Sequence, residues 1–383
     1  MRITDVKTYL VAANQPGAWA ARNWCIVEVQ TDEGLVGIGE ASGWPRVVQT
    51  AIDDFKHVIV GDDPTRIERI WQKMLIAMMG HGMTGVVGAG AMTGIEIALW
   101  DILGKAVNKP VCDLLGGRIR ETVRVYAHAD GVERAQELVA RGFDALKCSS
   151  RERPVQLIRD VRTALGDDVD LMTDVHGPPW YSVADAISVG QALEDYDILF
   201  YEDPVPPENI DALAKVAAGI SVPLAAGERC STLWGFRELI EREILDVVQP
   251  DMGRAGGFSQ MKKIAAMAEA HHIAVAPHDG SNGPIAEAAA VHFLAAIPNC
   301  LILEHLEDDV PWRYEIATPL KITNSQIEVP TGPGLGIEFY PEVALAHPSD
   351  RNLAPPSDSL VERTYVEPRP RRSRLYRTRE SSS

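Results

Sequence analysis

VDLMTD, at residues 169–174, is a short apolar run that ends in an acid, and the pattern returns five more times along the chain. It recurs as DILFYED at 197–203, VPLAAGE at 222–228, LDVVQPD at 245–251, IAVAPH at 273–278 and CLILE at 300–304. The reactive side chains of these runs, Asp174, Glu202, Glu228, Asp251, His278 and Glu304, stand 28, 26, 23, 27 and 26 residues apart. A polar or Gly/Pro-containing stretch and then a helical pattern follow, which makes the repeat a β/α unit. In a (β/α) barrel every strand points its carboxyl end at one face, so residues distant in sequence converge there. The spacing therefore predicts one acidic site.

Outward from this repeat, eight strands are expected to begin near residues 122, 144, 169, 197, 221, 245, 273 and 301. Amphipathic segments such as VERAQELVARG (132–142) and VQLIRDVRTALG (155–166) alternate with them, as in parallel βαβ units. No good helix follows the eighth strand, so the expected fold is an α/β (β/α)7β barrel spanning 121–315. Residues 1–120 read as an α+β capping domain. Its strands are expected at 2–11, 23–30 and 35–41, and its helices at 45–59, 65–79 and 86–107. Residues 316–345, rich in Pro, Gly and β-branched residues, are expected to return and pack on the cap. Beyond 346 apolar periodicity is lost, and the Arg-rich stretch to 383 reads as a disordered, solvated tail.

Composition narrows the function classes. The chain has 383 residues, 46% of them hydrophobic, enough for a barrel and a second domain. Its net charge of −17, from 54 acidic and 37 basic residues, disfavours nucleic acid or an anionic membrane as partner. The five cysteines are scattered without CxxC spacing, so neither a disulfide framework nor a zinc site is expected, and a reducing cytoplasm is the default location. No secretory signal pattern or membrane-spanning run is read in the chain.

Asp174, Glu202 and Glu228 end three consecutive strands, within reach of one ion. Oxygen-only ligands select a hard cation, so Mg²⁺ is the expected cofactor. Asp251 beside His278 would fix the imidazole tautomer and make His278 a general base. His176, two residues past Asp174, is the candidate acid, with a role beside or on the metal as the competing reading. Lys147, in DALKCSS, either reaches a substrate oxygen or points outward into solvent. Glu304 would exchange a hydrogen bond with the substrate oxygen opposite the metal, and in its protonated form would help stabilise an enediolate. His305, its neighbour, faces the other way, and His271 and His272 read as structural. Three carboxylates, a His–Asp pair and a second histidine together specify removal of a proton next to a carboxylate, then acid-assisted loss of the β-hydroxyl. The product would be a 2-keto-3-deoxy acid. Metal-bound hydroxide hydrolysis normally calls for several His ligands, and a non-catalytic barrel predicts lost ligands or dyad residues; neither pattern is seen.

GIEIALWDILGKA (94–106), LLGG (114–117), TDVHG (173–177), YEDP (201–204), AAGER (225–229), QPDMGRAGG (249–257), APH (276–278) and GPGLGIEF (332–339) together resemble the enolase superfamily, within its mandelate racemase subgroup. The resemblance is strongest to the D-galactonate dehydratase branch of acid-sugar dehydratases. It implies metal binding by Asp174, Glu202 and Glu228, a dyad of Asp251 and His278, and an electrophilic hydrogen bond from Glu304. It also implies an aldonate substrate of galactonate, gluconate or mannonate type and a homo-oligomer. Racemase-like members carry a Lys-x-Lys pair on the second strand; here Ser149 replaces the second lysine, which disfavours a two-base racemase. An epimerase or cycloisomerase using the same enolate is the alternative. DVHGPPW, APHDGSNG and LEHLEDDVPW depart from the galactonate branch around the expected mouth. In the cap, Trp19, Arg22 and Asn23 of NQPGAWAARNW are candidates to contact distal hydroxyls. His81 in HGMTG has the same standing, and a subunit contact is the competing reading for both loops.

Overall fold

The computed structural model describes residues 1–14, 22–80, 85–178, 180–349, 358 and 361. Three antiparallel strands, β1 (Ile3–Ala12), β2 (Asn23–Thr31) and β3 (Val36–Ala41), form the cap sheet in that order. Helices α1 (Pro45–Ile59), α2 (Ile67–Ala77) and α3 (Val86–Val107) follow. The α1 helix starts with Pro45 in its first turn, where a missing N–H costs nothing, and buries Val48, Ile52, Phe55 and Ile59 at the 3–4 spacing of one helix face. The α3 helix is apolar enough by composition to cross a membrane, but most of it is buried against the cap sheet. That contact depends on two glycines in β3. A Cβ on Gly37 would lie 2.0 Å from the Ala98 carbonyl oxygen, and one on Gly39 would lie 2.1 Å from that of Gly94.

The barrel is built from eight parallel strands: β4 (Thr122–His128), β5 (Ala145–Lys147), β6 (Asp170–Asp174), β7 (Phe200–Glu202), β8 (Leu224–Ala226), β9 (Val247–Val248), β10 (Ala274–Val275) and β11 (Leu303–Glu304). Pairing of β11 with β4 and a parallel bridge between Val275 and Cys300 close the ring. Helices from Val132–Ala140 to Pro284–Ala295 separate the strands. After β11 a short 3₁₀ turn, Pro311–Tyr314, replaces the eighth helix.

The returning segment also carries an element the sequence did not indicate. A hairpin, β12 (Ile322–Thr323) and β13 (Gln326–Glu328), adds antiparallel to the first half of β4, with Ile327 opposite Val123. The chain touches the cap before the hairpin, where Trp312 Nε1 donates to the Ala12 carbonyl, and again beyond it, where the Leu335 N–H donates to Asp101 and the Ala12 N–H to the His347 carbonyl. A two-residue apolar strand carries too little pattern to be read as a hairpin in advance. Of the segment 346–383, only 346–349, 358 and 361 lie within the described residues.

Strand alternation explains where the site sits. Tyr126, Ala145, Met172, Phe200, Ala225, Val247, Ala276 and Ile302, one for each barrel strand, make a buried plug across the barrel. Burying a large side chain such as Phe200 contributes about 1.5–3 kcal/mol. Two residues further along each strand the same inward face returns, and it carries His128, Lys147, Asp174, Glu202, Gly227, Gln249, His278 and Glu304. A charged layer thus stands directly above an apolar one.

Cap and barrel are joined by buried acids. Glu96 on α3 accepts from the Phe258 and Ser259 N–H groups, at the start of the helix Phe258–Ala270. Glu40 on β3 accepts from Gly283 and Ala286 at the start of Pro284–Ala295. Carboxylates are favourable there because helix N-termini leave N–H groups unpaired and carry the positive end of the dipole.

Beneath the last strand, His305 faces away from the cavity, as strand alternation requires, and bonds to Glu287 and Glu307; Arg313 lies 3.0 Å from Glu287. Burial alone would lower the His305 pKa, but Glu287 and Glu307 raise it to about 9, and His305 and Arg313 bring Glu287 to about 2 despite its burial. With the folded His305 pKa above its unfolded value, this stabilisation is full below about pH 6.5 and is lost as pH rises through about 9. Of the stability lost in urea unfolding between pH 6.5 and 9.5, His305 should therefore account for a part on the order of 2–3 kcal/mol. The decline should be clearly smaller in His305→Phe; an unchanged decline would place its origin elsewhere.

Candidate active site

At the carboxyl ends of the strands lies a cavity of about 590 Å³ whose wall includes Lys147, Asp174, Glu228, His278 and Glu304. Asp174 and Glu202 are direct neighbours in the β6–β7 register, which brings their carboxylates together. Glu228 reaches the wall by a different route. Gly227 stands at φ +136°, and a Cβ there would lie 2.7 Å from the Phe236 ring and 3.1 Å from the Gln249 nitrogen. This glycine breaks the alternation and turns Glu228 inward.

Lys147 points inward and is buried, which removes the solvated alternative. Its Nζ lies 2.7 Å from Glu304, 3.0 Å from Glu202 and 3.7 Å from Asp174. Burial disfavours the ammonium, but Glu202 and Glu304 outweigh it and hold its pKa well above the ordinary lysine value. Glu202 is pushed up to about 8 by burial and by Asp174, against the pull of Lys147. One of its oxygens, Oε1, is buried without a hydrogen-bond partner.

Glu304 differs from the protonated donor considered above. Its Oε2 accepts from the Asp279 and Gly280 N–H groups at 2.7 and 2.9 Å, and its Oε1 lies beside Lys147 and 2.8 Å from His128 Nε2. Burial opposes ionisation here, yet Lys147 and His278 hold the carboxyl well below the usual range. Glu304 is an ionised acceptor in this arrangement.

His278 and Asp251 form the expected pair, with Nδ1 2.6 Å from Asp251 Oδ2. Asp251 is itself fixed: Asn282 and the Gly253 N–H donate to Oδ1, and Arg254 lies 2.8 Å from Oδ2. With Nδ1 committed to Asp251, Nε2 faces Glu228 at 3.1 Å and Glu304 at 3.8 Å. Burial lowers the imidazole pKa, but Glu304, Glu228 and Asp251 raise it to about 9. His176 also lines the cavity; its Nδ1 lies 2.8 Å from Asp174 Oδ2, and that hydrogen bond raises its pKa against burial.

The cap residues divide. Arg22 lines the cavity and is paired with Asp309, past the end of β11. Asn23 opens β2 opposite Ala12, is buried in the sheet, and does not line the cavity. Trp19 and His81 lie outside the described residues. His271, bonded to Glu243, and His272 sit in the turn before β10, at the opposite end of that strand from the site.

Sequence reading missed His128, Arg151, Arg254 and Ser281, all in the cavity wall. His128 was within reach of the same rule: it closes TVRVYAH as Asp174 closes VDLMTD. Arg254 and Ser281 sit in turns, where no periodicity indicates direction.

Oxygen donors dominate the cluster, and the unpartnered Glu202 oxygen within it suits a hard cation. Among the described residues no three His, Cys, Asp or Glu side chains form a ready metal cage, because Lys147 and the two imidazoles already stand against these oxygens.

Two family models match, covering most of the chain: the mandelate racemase / muconate lactonizing enzyme N-terminal domain over residues 8–116, and the enolase C-terminal domain-like family over 130–343. The chain is 36% identical to a D-galactarolactone cycloisomerase of Agrobacterium fabrum, covering 88% of this chain and 97% of the relative. It is 34% identical to a D-xylonate dehydratase of Haloferax volcanii, covering 90% of this chain and 88% of the relative. A solved mandelate racemase/muconate lactonizing enzyme-like protein from Roseovarius sp. TM1035 superposes with a TM-score of 0.86 at 33% identity, over 92% of this chain and 97% of that one. With a capping sheet over a closed eight-stranded barrel and both halves matched in order, the chain belongs to the mandelate racemase/muconate lactonizing enzyme group of the enolase superfamily.

Proposed function

We propose that the chain is a sugar-acid dehydratase, a hydro-lyase that converts an acid sugar into its 2-keto-3-deoxy product. The carrying observation is the His278–Asp251 pair, facing the same carboxylate cluster that His176 borders from β6. The similarity to relatives named D-xylonate dehydratase and D-galactonate dehydratase, the latter 34% identical in Verminephrobacter eiseniae, supports the reading.

Asp251 accepts a hydrogen bond from the Nδ1–H of His278, so in the neutral imidazole Nε2 carries the lone pair that receives the proton from C2 of the substrate. His176 returns a proton to the departing 3-hydroxyl, which leaves as water, and the enol then tautomerises. Lys147 keeps Glu304 ionised and places positive charge where the substrate carboxylate gains electron density. A divalent cation, with Mg²⁺ the fitting ion, would be held by Asp174, Glu202 and Glu228; bound there, it compensates the dianion that proton removal creates. Ser149 in the cavity wall leaves no second strand lysine to act as an opposing base.

The test is a screen of the purified chain with Mg²⁺ against five- and six-carbon acid sugars, reading 2-keto-3-deoxy products as semicarbazones. A keto-deoxy product is expected from at least one acid. Deuterium exchange at C2 with no such product would instead support the cycloisomerase or epimerase reading that the Agrobacterium relative favours.

A further inference from the structure

We propose that Arg151 forms a second anion subsite, so that the cavity favours acid sugars with a carboxylate at both ends over those with one; this rests on the sugar-acid dehydratase reading. Arg22, Arg151 and Arg254 all line the cavity, but their partners differ. Arg22 is paired with Asp309, and Arg254 lies 2.8 Å from Asp251 and donates to Ser281 at 2.6 Å. Arg151 has no carboxylate within ion-pair distance among the described residues. Its Nη1 donates to the Pro178 carbonyl oxygen at 2.5 Å.

This arginine is nevertheless held in place. Its backbone carbonyl accepts from the Tyr181 hydroxyl. Gly177 stands at φ +93°, and a Cβ there would lie 2.8 Å from Nη1, so the glycine is what lets the guanidinium lie against this turn. A guanidinium has five N–H donors in a planar fork, and most of these remain for a carboxylate, which the fork matches with two parallel bonds. Ser149 and Ser150 add hydroxyls at the same wall.

Charge is distributed to suit a diacid. The floor is rich in carboxylates and accepts a substrate carboxylate only with compensating positive charge. Arg151 lies four residues beyond Lys147, above that floor on the loop after β5, where a second carboxylate meets a cation not already neutralised. A monoacid ending in CH₂OH leaves the fork facing water. The cavity of about 590 Å³ is roomy enough for a six-carbon chain to reach both.

The experiment compares matched pairs that differ only at the last carbon, CH₂OH or COO⁻, in the galacto, gluco and manno series, with the full chain and Mg²⁺. In the accepted series the diacid should have at least a tenfold higher kcat/KM. Arg151→Gln should cost the diacid about 100-fold, chiefly in KM, and the monoacid at least tenfold less than that, while Arg151→Lys restores part of the preference. Equal losses for both acids, or a wild-type preference for the monoacid, would overturn the proposal. Titration calorimetry of the same pairs on His278→Asn, with and without Arg151→Gln, keeps the two readings separable. Tighter diacid binding that depends on Arg151, with no dehydration of any of these acids by the wild type, would retain the subsite and sink the dehydratase; dehydration by the wild type with binding indifferent to Arg151 would do the reverse.

Discussion

Replacing His278 by asparagine is expected to lower kcat by about 10²- to 10⁴-fold while changing KM little, the scale of losing a general base. The asparagine amide can still donate to the buried Asp251 Oδ2, which Arg254 also holds, so the fold should persist. What disappears is a nitrogen that accepts a proton. Exchange of the substrate C2 hydrogen with deuterium should vanish together with product formation. Exchange that survives at the wild-type rate would move the base to the opposite wall, to His176 or Lys147, as the opposite configuration at C2 would require.

Removal of divalent cations by a chelator is expected to leave less than about 1% of activity, since an uncompensated dianion next to four carboxylates is prohibitively unstable. Adding Mg²⁺ back should restore it. The cation should also stabilise the fold, by about 2.7 kcal/mol when its concentration is 100-fold above its dissociation constant. Glu202→Gln is the sharper probe, because Glu202 is buried with one oxygen unpartnered. The variant should need at least tenfold more Mg²⁺ for half-maximal activity and should lose most of the thermal shift that Mg²⁺ gives the wild type. Full activity in chelator, or an unchanged shift in the variant, would remove the metal from this reading.

Much of the site was legible because a parallel barrel converts sequence spacing into spatial convergence. Asp174, Glu202, His278 and Glu304 each lie two residues past an apolar plug residue, so one rule of alternation places all four. The same rule applied to TVRVYAH would have found His128. Glu228 also closes its run, but alternation alone would send it to the wrong face, and only the positive φ of Gly227 turns it inward. Asn23 is the opposite case: the sequence put it beside a candidate cap loop, and the sheet register then drew it away from the cavity.

By itself the sequence determined what depends on local periodicity: the eight-strand repeat, the cap helices, the acids Asp174, Glu202, Glu228, Asp251 and Glu304 that close their runs, and the His278–Asp251 pairing. Long-range packing decided the rest. Nothing in the local sequence marks Glu40 or Glu96, and only the docked cap shows them capping two barrel helices. Lys147 read equally well as solvated or inward, and only the converging carboxylates of Glu202 and Glu304 fix it as a buried cation. The ionised state of Glu304 and the uncommitted guanidinium of Arg151 likewise follow from which opposite charges fall within reach, and no single stretch of chain encodes that.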